Sequence, residues 1–165
     1  LHDALPILRL ASGIQFTLPG VPCIYYGDEA GVEGYKDPFN RAPFPWGKED
    51  KGLTEWYKQL AKLRSYCSCL KDGDFKEFGS YERTMGYIRY DDTDELLCVF
   101  NAATFPIDFI VPKEFEDGEA LLGTILNGRD LEIPANSCAF VKISADKKHI
   151  SEEPENNEVI PEPAD

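Results

Sequence analysis

Pro19-Gly20-Val21-Pro22-Cys23-Ile24-Tyr25-Tyr26-Gly27-Asp28-Glu29-Ala30-Gly31 is the stretch from which the fold is read. Pro19-Gly20 interrupts an apolar segment in which Leu8, Leu10, Ala11, Ile14, Phe16 and Leu18 recur at partly helical spacing. Val21, Cys23, Ile24, Tyr25 and Tyr26 then form a nearly unbroken apolar run, which predicts a strand buried on both faces, as in a parallel sheet. Helix, tight turn and doubly buried strand make one step of an α/β fold. One strand and its helices cannot close a core, so residues 8–70 are expected to be the end of a larger α/β domain.

Working outward, residues 27–52 form a long loop rich in Gly, Pro, Asp and aromatic residues. Loops of that length are usually functional or disordered, and Tyr35, Phe39, Phe44 and Trp46 argue against disorder. Leu53, Trp56, Tyr57, Leu60 and Leu63 lie on one helical face, with Glu55, Lys58, Gln59 and Lys62 outside it. Lys71-Asp72-Gly73-Asp74 reads as a turn. The period then changes. Short β-branched and aromatic segments are expected near 75–79, 82–90, 95–102, 105–111, 119–126, 129–133 and 137–144, with Asn127-Gly128 as a hairpin signal. That spacing predicts an antiparallel sandwich over 71–144. Residues 145–165 are acidic and contain Pro, and read as a disordered tail.

The 165 residues carry a net charge of −13, so phosphate backbones and anionic lipid surfaces are poor partners, whereas a neutral sugar is not disfavoured. No apolar run approaches the ~20 residues of a membrane span. The five cysteines are odd in number and lack zinc-ligand spacing, which predicts reduced, mostly buried thiols in a cytoplasmic protein. Residues 1–7, Leu1-His2-Asp3-Ala4-Leu5-Pro6-Ile7, can be encoded by a nucleotide string resembling a common sequencing adapter. They are read as non-native, and as set apart from the fold argument.

Residues 19–31 resemble the eighth barrel strand of the α-amylase superfamily, glycoside hydrolase family 13. The continuation Gly34-Tyr35-Lys36-Asp37-Pro38-Phe39-Asn40-Arg41-Ala42-Pro43-Phe44-Pro45-Trp46-Gly47 resembles the following loop, in particular that of the neopullulanase, cyclomaltodextrinase and maltogenic amylase branch. The 53–66 helix is similar to the last barrel helix, and 74–144 to the C-terminal β-sandwich. The resemblance implies a truncated chain: the last strand and helices of a TIM-type barrel plus an all-β C-terminal domain, with the loop at the substrate face of the barrel. It also implies a retaining mechanism, in which an Asp nucleophile and a Glu acid/base stand about 5 Å apart. In the family both come from strands upstream of residue 8, so no catalytic residue is expected in this chain.

Of the carboxylates present, Asp28 and Glu29 are adjacent at an expected strand end, where neighbouring side chains point to opposite faces. They are read as structural residues at the barrel rim. Asp37 and Arg41 match the family's sugar-contacting Asp-Pro-x-x-Arg. A carboxylate accepts from two neighbouring hydroxyls and a guanidinium donates in a fixed fork. Their other use is a mutual ion pair that closes the loop. Trp46 and Tyr35 offer ring faces to a sugar; packing on the 53–66 helix is the alternative for Trp46. No metal ligand set is apparent. Calcium sites occur in relatives, but no cofactor is expected here. The resemblance thus implies a fragment of an enzyme acting on α-1,4 or α-1,6 bonds of α-glucans or maltooligosaccharides, inactive alone. The alternative is a non-catalytic carbohydrate-binding or scaffold module.

Overall fold

The computed structural model of the protein describes residues 5–38 and 40–145. Residues 1–4 of the adapter-like segment, Phe39, and the expected tail beyond residue 145 lie outside the described residues.

Three helices precede the strands: α1 (Leu5–Thr17), α2 (Lys51–Tyr66) and α3 (Cys69–Asp72). The sequence starts α2 sharply, because the Asp50 carboxylate accepts from the Leu53 N–H at 2.8 Å, satisfying one orphan donor of the first turn. Leu53, Tyr57, Leu60 and Leu63 are buried on one face, as their spacing predicts. Leu53, Tyr57 and Leu60 meet Phe16 of α1, and Trp56 packs beside them while its indole N–H donates to Ser12 Oγ at 3.0 Å. Complete burial of side chains of this size contributes about 1.5–3 kcal/mol each.

Eight strands follow: β1 (Asp74–Tyr81), β2 (Thr84–Tyr90), β3 (Asp94–Asn101), β4 (Ile107–Ile110), β5 (Glu119–Leu121), β6 (Leu126–Asn127), β7 (Asp130–Ile133) and β8 (Ser137–Ser144). They pair antiparallel into a five-stranded sheet, β1-β2-β3-β8-β5, and a three-stranded sheet, β4-β7-β6. The larger sheet is covered on both faces, which is why all of β3 is buried. Successive side chains take opposite sides. Leu97, Val99, Val141 and Ile143 face the small sheet, with Val111, Leu131 and Ile133. Tyr87, Leu96, Cys98, Phe100 and Phe140 share the other core with Leu10, Leu63, Cys67, Cys69 and Leu70 of the helical layer. Gly13 lets α1 approach closely: a Cβ there would stand 3.2 Å from Cys138 Sγ and 3.4 Å from a Phe100 ring carbon.

The antiparallel sandwich expected from the strand spacing is therefore present, with three departures. First, the helical layer packs on the five-stranded sheet and shares a core with it. Second, residues 21–25 form no strand and join no sheet, Tyr26 already begins a turn, and Val21 is 93% exposed. A strand needs a neighbouring strand for its backbone N–H and C=O groups, and the described residues pair none with this segment; its carbonyls at Cys23 and Tyr25 accept instead from the Gln15 side chain and the Asp28 N–H. Third, 119–126 is two short strands rather than one. Leu122 (φ 53°) and Gly123 (φ 78°) are left-handed, and a turn closes with the Thr124 N–H on Leu121 O at 3.1 Å. The predicted hairpin forms one residue later than expected: Asn127 pairs with Asp130, and Gly128 (φ 60°) takes the first turn position.

Buried polar groups join the layers. Arg89 on β2 is 1% exposed; it donates to the carbonyls of Asp74 (3.1 Å), Thr17 (2.8 Å), Cys69 (3.0 Å) and Gly73 (2.8 Å). Asn101 spans the loop ends, donating to Phe105, Ile133 and Pro134 carbonyls and accepting from the Ala103 N–H. Asp94 receives the Ser68 N–H and Oγ–H at 3.0 Å each and pairs with Lys142 at 2.8 Å. All five cysteines are free thiols; Cys67, Cys69 and Cys98 are buried and Cys23 is exposed. Burial pushes the Cys67, Cys69 and Cys138 thiols up to about 12, so they behave as small core hydrophobes rather than nucleophiles.

Candidate functional site

Residues 27–50 leave the α1 side of the molecule and return to the start of α2. Their first turn is firmly held. Gly27 (φ 81°) and Gly31 (φ 71°) bracket a single 3-10 turn, Asp28–Ala30. At Gly27 a Cβ would meet Val32 Cγ2 at 2.6 Å, so only glycine fits. The Ala30 and Val32 N–H groups donate to Gly27 O, each at 3.0 Å. The turn is tied to α2 by the Asp50 N–H on Ala30 O (3.1 Å) and the Thr54 Oγ–H on Glu29 O (2.9 Å).

Asp28 and Glu29 therefore stand in a helical turn, not at a strand end, and strand alternation does not orient them. The expected strand is missing for the reason given above. Burial, and next the charge of Glu29, push the Asp28 carboxyl above its ordinary value, against the opposing Tyr25 backbone bond. What holds the turn is backbone and Thr54, a residue that sequence reading passed over. A helical Thr can bond the carbonyl four residues back, and the single Thr54 Oγ–H is shared between Glu29 O and Asp50 O, which stands at 2.9 Å.

The structure brings Asp37 and Arg41 together. Arg41 Nε donates to Asp37 Oδ1 at 3.0 Å, the Arg41 N–H bonds Pro38 O at 3.2 Å, and the Asp37-Pro38 peptide is cis. The pair is open to solvent, with side chains 76% (Arg41) and 61% (Asp37) exposed. An exposed pair of this kind contributes at most about 1 kcal/mol. Exchanging it for ligand hydroxyls therefore costs little. A guanidinium has five N–H donors and a carboxylate about four acceptor positions, so one mutual bond leaves most of their capacity available.

The aromatic residues form a row. Phe44 meets Tyr26 edge-on at 6.1 Å between ring centroids and Trp46 at 4.6 Å with a 50° tilt. Trp46 is 81% exposed. The alternative reading of Trp46, packing on α2, is not found. The part of α2 beside it presents the polar and charged side chains of Lys51, Thr54, Glu55 and Lys58. A shallow groove lies between those residues and the Phe44 and Trp46 rings. Tyr35 stands apart from the row, its hydroxyl donating to Glu33 at 2.9 Å. Of the residues in this row, Phe44 was visible in the sequence only as a loop aromatic and Tyr26 only as the end of the expected strand. Among the described residues no three His, Cys, Asp or Glu side chains stand together as a metal site. No described helix is long and apolar enough to cross a membrane.

No protein-family model matches the chain. Individual proteins do. An amylopullulanase from Thermoanaerobacter thermohydrosulfuricus is 48% identical over 73 residues, 44% of this chain and 5% of that protein. A cyclomaltodextrinase from Bacillus sp is 41% identical over 98 residues, 57% of this chain and 18% of that enzyme. The chain thus spans under a quarter of the length of either relative. Among solved structures, the native Nostoc punctiforme debranching enzyme superposes with a TM-score of 0.75 at 25% identity, over 86% of this chain and 32% of that one. The sequence resemblance, the sandwich with its helical layer and these matches agree. The chain is homologous to the C-terminal regions of enzymes of the α-amylase superfamily, glycoside hydrolase family 13.

Proposed function

We propose that this chain is the C-terminal part of an enzyme that hydrolyses or transglycosylates α-1,4 or α-1,6 glucosidic bonds with retention of configuration, and that Asp37 and Arg41 hold a glucose unit of its substrate. The observation that carries this reading is the exposed Asp37–Arg41 pair, whose partners are already set 3.0 Å apart and are only weakly committed to each other. The names of the relatives, amylopullulanase and cyclomaltodextrinase, favour an α-glucan as substrate. In this reading residues 8–70 complete a TIM-type barrel with segments outside this chain, which supply the nucleophilic Asp and the acid/base Glu. The bare apolar side chains of residues 21–26 suit such a partner. Trp46 and Tyr35 give stacking faces to neighbouring sugar rings, and Asp28 and Glu29 shape the rim. The reaction needs no cofactor. With a charge of −13, neither nucleic acid nor anionic membrane is a favoured partner, and five free thiols fit a cytoplasmic setting.

A second reading, a non-catalytic carbohydrate-binding or scaffold module, draws on the two cores that the described residues close by themselves. One assay on two proteins separates them. The isolated chain is incubated with maltooligosaccharide and reducing ends are measured; none are expected. The longer gene product carrying this segment is expected to release them, and Asp37→Ala or Arg41→Ala within it to raise KM more than it lowers kcat. Turnover by the isolated chain, or inactivity of the longer product, contradicts the enzyme reading.

A further inference from the structure

The 19–26 segment presents a physical problem. It has almost no hydrophobic anchor, with Val21, Ile24, Tyr25 and Tyr26 all exposed, yet it must launch the loop that bears Asp37 and Arg41. Packing cannot set its course, so polar contacts must.

Those contacts converge on the end of α1. A helix leaves its last four carbonyls without intrahelical partners and carries partial negative charge there. The last turn of α1 has no basic residue of its own. Two arginines from elsewhere stand in for one. Arg64, on α2, donates from Nη1 to Phe16 O at 3.0 Å and from Nη2 to Gly20 O. Arg89, on β2 of the sandwich, donates to Thr17 O at 2.8 Å while its other bonds fix α3 and β1. Thr17 Oγ also meets the Tyr87 hydroxyl at 2.7 Å, a second tie to β2. In the same last turn, Gln15 Nε2 donates to Cys23 O at 2.8 Å. Burial, and next the positive charge of Arg89, push the Arg64 guanidinium below its ordinary pKa. Two like charges are tolerated here because both face helix-end carbonyls.

We infer that Arg64 and Arg89 are positioning residues, a carbonyl clamp through which α2 and the β-sandwich fix the direction in which the 19–47 loop leaves α1. The sandwich is thereby part of what orients the loop, and not only a domain attached after it. The clamp rests on the proposed function only in what the loop is for; its existence is tested without sugar.

Cys23 is exposed and lies within the held segment, whereas Cys67, Cys69 and Cys138 are pushed up to about 12 by burial and label slowly. Nitroxides placed at Cys23 and at Lys62→Cys, on the exposed side of α2, report the course of the segment as a distance distribution by pulsed electron resonance. The expected result is one narrow peak in the otherwise unaltered chain. That peak is lost to a broad distribution in Arg64→Ala and Gln15→Ala, and regained in part in Arg64→Lys. The urea unfolding midpoint, set by the two cores, is expected to stay unchanged in all three variants. A narrow, unmoved peak in Arg64→Ala overturns the clamp, as does broadening only in step with a lower unfolding midpoint. Failure of the sugar assays with the peak behaving as expected would count against the glucan reading alone.

Discussion

Tyr25 and Tyr87 have similar sequence surroundings, Ile24-Tyr25-Tyr26 and Tyr87-Ile88, and opposite fates. Tyr87 is buried between β1, β3 and α1, stacked on Phe100 at 5.4 Å, and its hydroxyl is satisfied by Thr17. Tyr25 is exposed and joins no sheet. Apolar character is the same in both places; the supply of partners differs. The sandwich with its helices closes its cores within the described residues. The 19–50 loop keeps its course by glycine turns, backbone bonds and borrowed arginines. The first region is built to be stable, and the second to present side chains.

The sharpest way to test this contrast is to remove apolar bulk from each side. Phe140→Ala opens a cavity in the core shared with the helical layer and is expected to cost about 4 kcal/mol. Tyr25→Ala is expected to cost no more than about 0.5 kcal/mol; urea melts of the two variants measure both. Next comes Arg89→Met, which leaves four carbonyls without their donor. It is expected to lose about 3 kcal/mol, showing that the junction of the layers is polar as well as apolar.

A smaller effect is expected at Asp94. Burial alone would raise its carboxyl, but the Lys142 pair and the Ser68 donors outweigh that and hold it below its ordinary value of 3.8. A depressed carboxylate stabilises the fold fully above 3.8, and that contribution is lost as the pH falls further, through the folded value. Lys142 is the mirror case. Burial acts to lower it, the Asp94 pair and charge raise it above 10.5, and its share is lost only as pH rises through that higher value. Asp94→Asn is expected to cost about 2 kcal/mol at neutral pH. The gap to the parent chain should narrow in melts taken below pH 3.8. Smallest of all, Trp46→Ala is expected to leave stability within about 0.5 kcal/mol, because its indole is exposed.

The contrast also explains what could be read from the sequence. Period is local, so the apolar face of α2, the alternation of Ile107, Phe109 and Val111, and the hairpin near Gly128 were legible to within a residue or two, whereas the Asp50 cap that starts α2 was passed over. The Asp37–Arg41 pairing was legible as well, because spacing of four residues across a proline turn brings those groups within reach. Partner-dependent features were not. In the sequence Arg89 looks like an ordinary strand charge between Ile88 and Tyr90; its burial depends on carbonyls from three other elements converging on it. The run at 21–26 looks like a buried strand because its composition is that of one, and composition carries no record of whether neighbours are at hand. Of the two readings of Trp46, packing on α2 is not the one found: the indole is exposed and the facing positions there are polar.

The central claim is that sugar is held on the loop at Asp37 and Arg41, and not on the sandwich. Backbone NMR of the 165-residue chain titrated with maltotriose tests it directly. The account predicts saturable shifts centred on residues 35–46, with weak, millimolar-range affinity, abolished by Asp37→Ala and by Arg41→Ala. Shifts centred on the strands of either sheet, or shifts on the loop that survive both substitutions, would contradict it.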